Sequence, residues 1–109
     1  MILKLLKITD ILISPGKTHL GKSLPLRESI WGVEIEKFSK AYPLSELKKT
    51  TTFTDKIGTY TVQITYHPES GLIEGINVAT GKKLVFQNHW WFGWKEFHPE
   101  TEIWKYKEE

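Results

Sequence analysis

The stretch "TYTVQITYH", residues 59–67, constrains the fold more than any other part of the chain. Tyr60, Val62, Ile64 and Tyr66 alternate there with Thr59, Thr61, Gln63 and Thr65. Successive side chains of a strand point to opposite faces, so this period of two gathers bulky apolar groups on one side and polar groups on the other. Such a strand is half-buried and needs sheet neighbours. "IWGVEIEKFSKAY", residues 30–42, supplies a hairpin in which Trp31, Val33 and Ile35 share a face, Glu36-Lys37 turns, and Ser39 to Tyr42 returns. The turn carries neither Asn nor Gly, which predicts a loose loop rather than a tight positive-φ connection. "EGINVATGKKLVF", residues 74–86, reads as another hairpin, with Ala79 to Lys82 as its turn and Gly81 at a positive φ.

Two helical pieces interrupt the strands. "PLSELKK", residues 43–49, has a proline placed where a first turn tolerates it, and Leu44 and Leu47 on one face. In "HWWFGWKEFH", residues 89–98, Trp90, Trp94 and Phe97 fall at i, i+4 and i+7, with Trp91 and His98 flanking that stripe and Pro99 ending it. The expected fold is therefore β-rich α+β: a small antiparallel sheet, or a partly open barrel of hairpins, packed against one aromatic helix. A chain of 109 residues supports one modest core. It is read as a single domain over 1–109, with an N-terminal element and loop over 1–30 and a core over 31–105.

Composition removes several function classes. With 39% hydrophobic and 26% charged residues the chain is neither disordered nor of a membrane class, and no membrane span is expected. A net charge of +2 with interspersed signs lacks the basic stripe of a nucleic-acid partner. The absence of cysteine excludes disulfides, thiolate metal sites and cysteine nucleophiles. "MILKLLKITDILI" is broken by Lys4, Lys7 and Asp10, so it reads as a structural element rather than a leader. The chain as written is expected in the cytoplasm, unless it is a mature form whose signal has been removed.

"SPGKTHLGKS", residues 14–23, fits the pattern Gly-x-x-x-x-Gly-Lys-Ser. A phosphate-binding loop also needs a helix behind it, whose N-terminus and backbone N–H groups hold the phosphates. Pro25 falls where that helix would run, and the remaining chain reads as hairpins rather than crossover units of roughly 30 residues. The stretch is read as an exposed basic glycine loop.

Three segments in order carry a family resemblance: "WGVEIEKFSKAYPLSEL", "FTDKIGTYTVQITYHPESG" and "HWWFGWKEFHPET". Over residues 31–104 they resemble the uncharacterised family known as domain of unknown function 3179. That family reads Gly-Val-Glu, then Ala-Tyr-Pro-Leu, then a strand into Tyr-Cys-Pro-x-Cys-Gly, then an aromatic helix ending in His-Pro-Asp-Thr. Here His67 and Ser70 stand where its two cysteines would be. The resemblance implies a shared fold, with some members exported, and any thiol role of the cysteine pair is lost.

The chemistry-bearing residues are few. Neutral imidazoles are common metal ligands, so His67, His89 and His98 are candidates for a transition metal. His89 and His98 lie roughly 13 Å apart along an unbroken helix, so only a pair of His67 with one of them fits a single ion. Trp90, Trp91 and Trp94 could form a stacking platform for sugar rings or an apolar ligand, since rigid aromatic faces bind at little entropic cost, although core packing is the stronger expectation for Trp90 and Trp94; the candidate ligand-binding set is Trp91 with Tyr66, His67 and His98. Glu96, Glu100, Glu102 and Asp55 lack the spacing of paired acid–base carboxylates, and Ser45 lacks a nucleophile's surroundings. The expected function is a non-catalytic module binding a small ligand or a protein partner, with no obligatory cofactor; the alternative is a metal-binding or redox accessory protein using His67 with His89 or His98.

Overall fold

The computed structural model describes residues 24–107; the glycine loop over 14–23 and most of the N-terminal element lie outside the described residues. Strands β1 (Ser29–Ile35) and β2 (Phe38–Pro43) form the first hairpin. Ile35 pairs directly with Phe38, so Glu36 and Lys37 make a two-residue turn, and Glu36 adopts a φ of 55°. The loose loop expected from the missing Asn-Gly is thus a tight turn instead. The ladder on either side fixes its length, and a glutamate takes the left-handed conformation that glycine would adopt freely. The short helix α1 (Leu44–Leu47) follows, directly after Pro43.

Strands β3 (Thr52–Ile57), β4 (Tyr60–His67) and β5 (Leu72–Asn77) form an antiparallel three-stranded sheet in that order. The alternation in β4 is kept, with Val62, Ile64 and Tyr66 buried and Gln63 exposed. Strand β3 is hidden in the sequence because Asp55 occupies its apolar face between Phe53 and Ile57. After Gly81, at φ 74° as its turn position requires, the chain makes one bridge between Ile76 and Lys83 and then leaves β5. The second expected hairpin is therefore a stub. Its return strand, β6 (Phe86–Trp90), crosses to the other sheet and pairs with β1.

That other sheet has the order β6-β1-β2-β7, where β7 (Glu102–Ile103) pairs parallel to β2 and the remaining pairs are antiparallel. The architecture is β-rich α+β, built from two sheets rather than a closed barrel. Helix α2 (Trp91–Phe97) is shorter than the sequence spacing predicts and is turned differently. Because β6 runs through Trp90, opposite Ser29, the ladder claims His89 and Trp90 as strand. The Trp91 and Phe92 amides then donate to the carbonyls of Glu28 and Leu26, at 2.8 and 3.0 Å. Trp91 and Trp94 consequently face inward, whereas Trp90 is 50% and Phe97 79% exposed, against the expected Trp90/Trp94/Phe97 stripe. Among the described residues no helix is long and apolar enough to cross a membrane.

The main core lies between the sheets. Val33 and Tyr42 from one sheet and Leu47 of α1 meet Ile57, Val62, Ile64 and Tyr66 from the other, and Trp104 closes the cluster. Trp104 stacks on Phe53 with ring centroids 4.5 Å apart and lies 5.7 Å from Tyr42. The Tyr42 hydroxyl donates to Asp55 Oδ2 at 2.7 Å, and Lys40 Nζ, 2.8 Å from the same oxygen, also donates to the Lys56 carbonyl at 3.0 Å. A buried hydroxyl and a carboxylate on apolar faces thus satisfy each other across the two sheets.

Two outcomes are expected from this geometry. Left-handed backbone at a non-glycine residue costs about 1–2 kcal/mol, and glycine returns part of that gain as chain entropy. Glu36→Gly should therefore raise stability by about 0.5–1 kcal/mol in urea unfolding. Burial first, and then the neighbouring Asp55 charge, hold the Tyr42 phenol well above its ordinary 10.0. The folded state keeps that proton where the unfolded chain loses it, so the contribution is intact below pH 10.0 and is lost as pH rises further. Relative to Tyr42→Phe, the wild-type protein should lose about 1.4 kcal/mol per pH unit above that point, read from unfolding curves across the alkaline range.

Candidate functional site

The indole of Trp94 organises the end of the molecule where α2 meets the β6-β1-β2-β7 sheet. It is 1% exposed, and it lies over Gly32 of β1 so closely that a Cβ there would come within 2.5 Å of the ring. Two histidines flank it: the His98 ring centroid is 3.8 Å and the His89 centroid 5.5 Å from the indole. Its Nε1 donates to Thr101 Oγ1 at 2.9 Å. His98 ends the helix with its amide donating to the Trp94 carbonyl at 2.9 Å, while its Nδ1 lies 3.4 Å from Glu34 Oε2. One ring face and the backbone of His98 are thereby held, with the Glu34 carboxylate beside one ring nitrogen.

Beside that ring opens a cleft of about 240 Å³, walled by Glu34, Lys37, Ser39, Phe97, His98 and Glu100. The tight turn at Glu36 builds one side of it, since Glu34 and Ser39 are cross-strand partners and share a face. The exposed Phe97 of α2 also lines it. The lining thus combines an aromatic face with carboxylate, hydroxyl, ammonium and imidazole groups.

The other expected site residues do not converge on this place. Trp91 is 4% exposed in a second apolar cluster with Ile30, Ala41 and Trp94, and its buried Nε1 has no hydrogen-bond partner among the described residues. Tyr66, 3% exposed, belongs to the core between the sheets. His67 ends β4 and pairs with Glu74 of β5, Nε2 to Oε2, at 2.9 Å. His89 Nε2 lies 3.2 Å from Gln87 Oε1. His67 and His89 thus each have a side-chain hydrogen-bond partner and His98 lies beside Glu34, and the described residues include no group of three or more His, Cys, Asp or Glu side chains arranged to hold an ion. Of the four residues expected to bind ligand, His98 alone lines this cleft.

Glu34, Ser39 and Phe97 line this cleft although the sequence did not single them out as candidates. Glu34 was legible in part, as the polar position between Val33 and Ile35 in an alternating strand. The exposure of Phe97 was not, because it depends on where β6 ends. Comparison with protein-family models, curated proteins and solved structures gives no match for this chain.

Packing around Gly32 supplies a direct test of this arrangement. Gly32→Ala forces a methyl into the Trp94 ring, and overpacking of this kind costs about 1–3 kcal/mol. Thermal unfolding should show that loss, accompanied by a shift of the His98 and Trp94 indole NMR resonances. A variant as stable as wild type with unmoved resonances would contradict the close contact.

Proposed function

We propose that this domain is a non-catalytic binding module whose ligand, a small polar ring of the sugar class, seats in the cleft beside His98. The observation that carries the reading is Phe97: a residue 79% exposed and lining the cleft, next to an imidazole packed on Trp94 beside Glu34. An exposed aromatic ring stacks on the C–H face of a sugar, and the Ser39, Lys37 and Glu100 side chains are of the types that bond its hydroxyls. Glu34 lies against His98, so the carboxylates of this cleft position a ring rather than form the opposed acid–base pair of glycoside hydrolysis. The likeness to domain of unknown function 3179 belongs to the same proposal and rests on its motifs over residues 31–104.

An NMR titration of the labelled protein against a panel of mono- and disaccharides tests it. Shifts should cluster at Ser39, Phe97 and His98, and Phe97→Ala, which removes an exposed side chain without opening a cavity, should weaken binding at least tenfold. Ligand shifts elsewhere, or binding that survives in both Phe97→Ala and His98→Ala, would reject this cleft.

A further inference from the structure

On the far side of the core, β5 is an edge strand that is only partly covered. The segment over residues 82–84 pairs with its C-terminal half: the Leu84 amide donates to the Gly75 carbonyl and the Asn77 amide to the Lys82 carbonyl, both at 2.8 Å. The chain then leaves for the other sheet, with Val85 74% exposed at the departure. Residues of an antiparallel strand bond to the left and right neighbours in alternation. Since Gly75 and Asn77 face the departing segment, Ile73 presents its N–H and C=O to the same edge, where β5 has no further strand among the described residues. A cleft of about 290 Å³ lies along this stretch, its lining including Trp31, Ile73, Glu74, Lys83, Leu84 and Phe86.

We infer that this edge accepts an extended peptide from a protein partner, added as a strand antiparallel to β5 in continuation of residues 82–84. Open strand edges are templates for such addition, with main-chain bonds giving affinity and alternate side chains giving choice. The pleat specifies the peptide. Its residue opposite Glu74 shares the outer face with that carboxylate, which stays 71% exposed with only Oε2 engaged, by His67 Nε2 at 2.9 Å, and a basic residue there meets the remaining oxygen. The next residue, opposite Ile73, points into the wall of Trp31 and Phe86 and is apolar. This surface shares no lining residue with the His98 cleft, and the inference stands independently of the sugar reading.

The test uses the peptide acetyl-Lys-Val-Thr-Val-amide and a counterpart beginning with Glu, titrated by NMR into the full chain. Amide shifts should concentrate at residues 72–75, with the Lys peptide binding at least fivefold tighter. Ile73→Pro removes the outward N–H while sparing the bonds to β4, and should abolish binding in a folded protein. Glu74→Lys should invert the preference, and it decides the matter if the proline variant does not fold. Binding that persists in folded Ile73→Pro, equal affinity for both peptides, or no shift at this edge would overturn the inference. So would concentration-dependent shifts at the same amides without peptide, accompanied by dimerisation, which would assign the edge to a second copy; or protection of the edge that disappears when residues 1–13 are deleted, which would assign it to the chain's own N-terminus.

Discussion

The two sheets are joined at Tyr42. Its ring lies at the centre of an aromatic cluster with Phe53, Phe86 and Trp104, and its hydroxyl reaches across to Asp55. Burying rings of this size stabilises a small domain by up to about 3 kcal/mol each. That gain requires the phenol oxygen to find a partner, because an unpaired buried hydroxyl offsets much of it. Asp55 is that partner, and Lys40 balances its charge. The carboxylate on the inner face of β3 is thus a requirement of the inter-sheet contact and follows from the choice of tyrosine at position 42.

From that joint the rest of the architecture follows as a matter of reach. Once the sheets are held face to face, the chain beyond Gly81 lies beside β5 but has Phe86 drawn into the Tyr42 cluster, so it abandons the hairpin and extends β1's sheet instead. This crossing does two things for the surface. It leaves the first half of β5 without a further strand neighbour among the described residues, and it brings Trp90 to the end of a strand, so that α2 begins one residue later. Trp94 then drops onto Gly32, and His98 arrives beside Glu34. Both clefts are consequences of a single chain departure.

The legibility of the parts varied with how local their causes are. Strand β4 was plain, because its alternation is unbroken over its whole length. The β1–β2 hairpin was plain too, although its turn was not: Glu36 is an unfavourable residue at positive φ, tolerated because the paired strands leave only two residues to connect them. Strand β3 was obscured by Asp55, a charge whose compensation comes from another sheet. The helix is recognisable by its aromatic spacing and Trp94 is buried as that spacing predicts, but Trp91 takes the place of Trp90 and Phe97 faces out, because the ladder with β1 holds Trp90 in a strand. His98 was visible as a candidate; the Glu34 beside it comes from a strand more than sixty residues earlier.

By itself, the amino-acid order determined that this is a thiol-free, β-rich chain with an alternating central strand, a glycine turn at Gly81 and an aromatic helix near its end. These are properties of neighbouring residues, set by backbone sterics and by the side-chain periods of strand and helix. Tertiary structure decided which indoles are buried, which sheet receives Phe86 to Trp90, and which histidine stands at a cleft. Those outcomes depend on strand register between distant segments, where the free energy belongs to contacts that no local pattern records.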